Sequence, residues 1–299
     1  MAVRDGSPSE AVAEPGTPRL PAWGLVLAAG TSIQFGAALA ATIFDDLGPG
    51  GASLLRLGFA AVILMAVWRP PVRSFTRQQL EVGLLFGLTL GAMNLFFYEA
   101  LDRLPLGIAV TIEFVGPLSV AVFGSRRRSD LAWAALAAIG IVLLADPGGG
   151  SVDTLGLLFV LAAGACWAAY ILIAQRASGM FRGGQGLALA SVPAALVPLV
   201  PGLAEGPGAL LQGGVLLTGV AVALLSSVIP YSLETEALRR IPVNVFGVLM
   251  SLEPAIAALA GFIVLGQALG ARELAAMACV VLASIGITRQ TSMPPVDPT

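Results

Sequence analysis

The chain has 299 residues, 57% of them hydrophobic and 11% charged, with a mean hydropathy of +0.89 and a formal charge of −2. A soluble domain carries about twice that charged fraction, so the composition excludes a water-soluble globular protein and describes a polytopic, all-α integral membrane protein with the lipid bilayer as its surroundings and no nucleic-acid partner. There is no His, the commonest metal ligand and neutral-pH base, no GxxxxGK[ST] phosphate loop, and only two cysteines, Cys166 and Cys279, each inside an apolar run; no metal, no cofactor and no catalytic residue is expected, and neither ATP hydrolysis nor membrane-enzyme chemistry.

The first twenty residues are rich in Pro, Gly and acids with no apolar stretch behind a basic start, the pattern of a disordered tail and not of a cleaved signal. Ten apolar runs follow as candidate spans, broken by Pro, Gly and charge: 21–44, 50–68, 79–101, 105–124, 129–145, 154–177, 184–202, 210–238, 242–266 and 271–288. The first carries Gln34. The second carries Arg56, about 10 Å in from Pro49. In the third, Gly83, Gly87, Gly91, Asn94 and Tyr98 recur at helical spacing, so the glycines permit close packing and the polar pair points into the bundle.

The fourth run matches the hydrocarbon thickness of about 30 Å and carries Glu113 about 12 Å from Pro105. Pro117 lacks the N–H that would bond the carbonyl of residue 113, so a carboxylate and a freed carbonyl share one depth. Trp167 and Tyr170 share a face of the sixth run near mid-depth, as a pocket wall or as core. In the eighth, Ser227, Tyr231 and Glu234 form one stripe past the kink expected at Pro230, lining the inner half of a pathway or ending at the cytoplasmic surface. In the ninth, Glu253 lies about 17 Å from Pro242, directly before Pro254, which frees the carbonyl of Met250. Glu99 and Glu236 each have an arginine four residues on, Arg103 and Arg240, the order of a local structural pair.

All sixteen basic residues are arginines; thirteen lie in the tails and even-numbered loops and two in the odd-numbered loops, Arg103 and Arg272. That bias puts both termini in the cytoplasm and makes the number of spans even. EALDRLP at Glu99 recurs as EALRRIP at Glu236, 137 residues on, and the same displacement carries Pro117 onto Pro254. The reading is ten transmembrane helices as two inverted five-helix repeats: a tail at 1–20, repeats at 21–146 and 154–288 joined by an outer linker at 147–153, and a cytoplasmic tail at 289–299. Inverted repeats enclose a midplane site that opens alternately to each side.

A buried Arg56 needs a carboxylate or several carbonyls. One reading is a static ion pair with Glu113 or Glu253; the other makes Arg56 a bidentate clamp for a substrate carboxylate. For Glu113 and Glu253 the alternatives are a structural acid and a proton-exchanging one, since burial disfavours the charged carboxylate while an approaching ammonium favours it.

Taken together and in this order, SIQFGAALA from Ser32, GAMNLFFY from Gly91, PLGIAVTIEFVGPL from Pro105, GACWAAYI from Gly164, IPYSLE from Ile229 and SLEPA from Ser251 resemble the threonine and homoserine exporters, of the ten-helix EamA branch of the drug/metabolite transporter superfamily. The resemblance covers the chain from Trp23 to Thr288. It implies a bacterial inner-membrane exporter of small amino acids driven by protons, with Gln34, Arg56, Asn94, Tyr98, Glu113, Trp167, Tyr170, Tyr231, Glu234 and Glu253 among its recurrent polar residues. Arg56 would then hold the α-carboxylate, Glu113 or Glu253 the α-ammonium or the proton, and Asn94, Tyr98 and Gln34 the polar side chain, with Trp167 and Tyr170 limiting its size. One departure is that the ninth span ends Gly266-Gln267 where such exporters have Gly-Glu. Another cargo (a cationic or aromatic amino acid, a purine or a toxic amphiphile) is the alternative, a non-transporting scaffold a remote one, and the oligomeric state is left open, a monomer included.

Overall fold

The computed structural model describes residues 21–124, 129–145, 153–177 and 179–291, and among these all regular structure is helical. The expectations placed on the tails, on the arginines at 126–128 and on Asp146 with the glycine-rich 147–151 segment fall outside the described residues.

Helix α1 (Ala22–Ala41) starts directly after Pro21, whose missing N–H is no loss at a helix N-terminus. α2 (Phe44–Trp68) begins six residues before the expected run at 50–68, because the chain turns at Gly48, φ +69, and continues helical through Pro49. The Gly50 N–H beyond that bend donates to a Glu205 carboxylate oxygen at 2.8 Å. α3 (Arg77–Leu101) opens on a capping box, in which Thr76 accepts from the Gln79 N–H and Gln79 accepts from the Thr76 N–H at 2.9 Å.

The fourth run is two helices, α4 (Leu106–Glu113) and α5 (Val115–Gly124), followed by α6 (Ser129–Ala145) and α7 (Thr154–Ala177). α8 (Gln185–Leu196) and α9 (Leu199–Glu205) meet at 46° around Pro198. α10 (Gly213–Ala223) leads through a π-helical segment, Leu224–Val228, into α11 (Ile229–Leu238). The ninth run is again split, into α12 (Val243–Met250) and α13 (Glu253–Leu265), and α14 (Ala271–Thr291) ends the described chain. Among the described residues, eight helical stretches are long and apolar enough to cross a membrane, nine if α8 and α9 form one bent span; the apolar part of α6, Leu131–Leu144, is shorter.

Phe123, Val200, Leu211 and Leu217 face outward while Gln34, Arg56, Asn94, Glu113 and Glu253 are buried, the reverse of the order in a water-soluble protein and the one a bilayer imposes. Small residues bring the helices together. A Cβ at Gly116 would overlap the carbonyl oxygen of Gly164, so α5 and α7 touch backbone to backbone.

Several elements of the two halves match. A displacement of 137 residues carries α4 onto α12, Leu106 onto Val243 and Glu113 onto Met250, each helix preceded by a proline, Pro105 and Pro242, with φ −55, ψ 140 and φ −60, ψ 146. α3 packs along α7 as the α10–α11 span packs along α1; α5 lies on α7 as α13 lies on α1.

Candidate functional site at the helix breaks

The breaks in the fourth and ninth runs border one cavity of about 480 Å³, a volume suited to a small organic molecule. Its walls run from mid-helix to one end of the bundle, through Ala121 on α5, Leu238 on α11 and Thr288 on α14. At the opposite end α4 closes on α13, where a Cβ on Gly107 would lie 3.0 Å from Ala258, and Leu106 is fully buried.

Of the ten polar candidates, nine line this cavity: Gln34, Arg56, Asn94, Glu113, Trp167, Tyr170, Tyr231, Glu234 and Glu253. Tyr98 is the exception. It is fully buried behind Arg56, its hydroxyl accepting from the guanidinium at 3.3 Å and its ring centroid 5.4 Å from the guanidinium carbon. Its place is therefore in support of Arg56, where the sequence suggested contact with cargo.

Arg56 is not in a static ion pair: among the described residues its partners are neutral. Besides Tyr98, it donates to the Ser226 carbonyl at 3.0 Å and to Ser227 Oγ at 3.4 Å. In place of a carboxylate or the several carbonyls expected, the fold supplies one carbonyl and two hydroxyls.

Glu113 ends α4 and Glu253 starts α13, so each helix break delivers one buried acid to the cavity. Among the described residues, Glu253 Oε1 and Gln34 Oε1 are buried without a hydrogen-bond partner. Glu253 packs against Gly30, one turn before Gln34 on α1. An orphaned buried acceptor is unfavourable, so both atoms fit a donor supplied from the cavity. Asn94 donates to the Leu90 carbonyl at 2.8 Å, which fixes its amide on the cavity wall.

Both aromatics are braced by ring contacts: Trp167 meets Phe114, itself on the cavity wall, edge-on at 5.2 Å, and Tyr170 stacks on Phe86 at 5.0 Å. Gly83, Gly87 and Gly91 face α8 and serve packing. Glu99 bonds Arg103 at 3.0 Å and Glu236 pairs with Arg240, both local and outside the cavity. Sequence reasoning missed Ser251, at the break between α12 and α13, whose hydroxyl shares a 2.7 Å hydrogen bond with the cavity-lining Ser284. It missed Ser226 too, although the carbonyl four residues before a proline is readable in advance.

Comparison with known proteins accords with this geometry. The profile of the EamA-like transporter family matches residues 154–289. The threonine/homoserine exporter RhtA of Salmonella typhimurium LT2 is 43% identical over 91% of this chain and 94% of its own length, and RhtA of Escherichia coli K12 is 43% identical over 90% and 93%. The chain belongs to the EamA-like transporter family. A solved crystal structure, described only as that of a protein, superposes with a TM-score of 0.61 at 18% identity over 90% of this chain and 98% of that one, which speaks to the fold.

This EamA-like chain is thus a multi-pass membrane transporter and not an enzyme; its composition had implied the membrane. Its departure at Gln267 also has a physical reading. Gln267 Oε1 accepts the Leu106 N–H at 2.9 Å, so a neutral amide caps the start of α4.

Proposed function

We propose that this protein exports small neutral amino acids of the threonine and homoserine kind across the bacterial inner membrane in exchange for protons. Ten crossings form two inverted repeats, 21–146 and 154–288, with both termini cytoplasmic, and the cavity is the cargo site in its cytoplasm-facing state. The shared helix breaks, the proline starts and the exchanged neighbours of the two halves support the repeat.

The observation that carries the reading is the gathering of nine polar candidates from both halves around one cavity. Its chemistry is complementary to a hydroxylated amino acid. Arg56 offers a planar fork of donors to the α-carboxylate, and the unpartnered Glu253 and Gln34 oxygens accept from the ammonium or hydroxyl. Three carboxyls, Glu113, Glu234 and Glu253, face a single guanidinium there. In a low-dielectric cavity an excess of two acids calls for protons or a cationic group of the cargo. Proton and ammonium then alternate on the same oxygens, which is antiport. The names of the RhtA relatives point to the same cargo.

The decisive experiment is efflux of labelled threonine from proteoliposomes under an imposed pH gradient, with competition by homoserine, lysine, phenylalanine and adenine. Threonine and homoserine are expected to compete and adenine is not. Absence of threonine flux would reject the function, and Arg56→Ala together with Glu113→Gln as active as the parent would reject the residue roles.

A further inference from the structure

Arg56 reaches from α2 to a neighbouring helix that has lost its regular bonding. In the Leu224–Val228 segment the Ile229 N–H donates to Leu224, one residue further back than in an α-helix. The Leu225 carbonyl, left without that donor, accepts from Ser32 Oγ at 2.6 Å. The next carbonyl, Ser226, would take the N–H of residue 230, and that residue is Pro230, which has none. The guanidinium of Arg56 fills the vacancy at 3.0 Å. Gly36 lets α1 lie against this segment, since a Cβ there would collide with Ser226 Oγ.

We propose that Pro230 is a positioning residue for cargo recognition: by freeing the Ser226 carbonyl, it fixes Arg56 through main chain and leaves the cavity carboxyls unneutralised. Three guanidinium donors are occupied, on Nε by Ser227, on Nη1 by Tyr98 and on Nη2 by Ser226. One N–H remains on each terminal nitrogen, and these two donors are what the guanidinium offers to a cargo carboxylate. A carboxylate anchor would have consumed that fork and cancelled its charge; a carbonyl anchor does neither. The inference rests on the assignment of Arg56 to the cargo carboxylate and names what holds it in place.

The test is the kinetics of threonine efflux in Pro230→Ala, Ser227→Ala and Arg56→Ala, each with threoninamide, which has no carboxylate, as competitor. Restoring an N–H at position 230 gives the Ser226 carbonyl its helical partner and releases Arg56. For Pro230→Ala the expected result is a KM for threonine raised about tenfold, the worth of one charge-assisted hydrogen bond, with the maximal rate within about twofold. The preference for threonine over threoninamide falls in parallel, which a merely structural lesion would leave in place. Ser227→Ala shows a smaller fall in the same direction and serves if Pro230→Ala does not fold. An unchanged preference in both overturns the positioning role. An unchanged preference in Arg56→Ala overturns instead the carboxylate assignment beneath it.

Discussion

Phe114 and Ser251, 137 positions apart, interrupt their helices with nearly the same backbone, φ −59, ψ −14 and φ −63, ψ −11. Each stands three residues before a proline, Pro117 or Pro254, and each break turns an acid into the cavity. Pro117→Ala and Pro254→Ala restore the N–H groups that bond the carbonyls of Glu113 and Met250. The expected outcome is unchanged or raised thermal stability with reduced threonine flux, measured on the same purified protein. Full flux with a repaired helix would separate the breaks from transport.

The coupling assignment predicts a split between two assays. Glu113→Gln and Glu253→Gln keep the shape of the side chain but cannot release a proton. The variant at the coupling acid is expected to retain threonine–threonine exchange and to lose accumulation driven by a pH gradient. If both variants still accumulate threonine uphill, neither acid couples.

Cavity orientation is open to chemical labelling. Thr288 lines the cavity near its open end, and Asp153, just before α7, belongs to the opposite face in the proposed topology. With Cys166 and Cys279 replaced by Ala, Thr288→Cys is expected to react with an impermeant maleimide from the cytoplasmic side, slowed by threonine. Asp153→Cys is expected to react only from outside. The opposite pattern would invert the proposed topology.

Much of this arrangement was legible because it is local. Pro105, Pro117, Pro242 and Pro254 act within four residues of themselves, so the starts of α4 and α12 and the freed carbonyls of Glu113 and Met250 could be read from spacing, whereas the splitting of each run into two helices could not. The Glu99–Arg103 and Glu236–Arg240 pairs are local too. The partner of Arg56 was not legible, since Ser226 lies 170 residues away and only the packing of α2 beside the π-segment brings them together. The place of Tyr98 behind Arg56 was not legible for a related reason: helical spacing does not say which of two inward residues is screened by a third side chain from another helix. The bond of Glu205 to Gly50 was not legible either, since it depends on the bend at Gly48.

Close approach of α5 and α7 gives a stability prediction. Gly116→Val forces a branched side chain into the Gly164 carbonyl, so the helices must part. Overpacking of this kind costs about 1–3 kcal/mol, read as a lower melting temperature in detergent. A wild-type melting curve would contradict the backbone contact.

Gln267 supplies the last test, on whether the closed end of the cavity needs a charge or only an acceptor. The amide oxygen accepts the N–H of the fully buried Leu106 while α4 and α13 touch. Gln267→Glu keeps an acceptor and adds a negative charge at a helix N-terminus, which favours it by about 0.3–1 kcal/mol. Gln267→Leu strands a buried N–H, at about 1–3 kcal/mol. The expected order of melting temperature is therefore Glu at or above Gln, and Leu lowest. In the proposed cycle this contact opens for cargo to leave on the far side, so Gln267→Leu also weakens the closed state, and Thr288→Cys in that background is expected to label more slowly from the cytoplasmic side. Equal melting and equal labelling for Gln and Leu would show that the amide holds nothing shut.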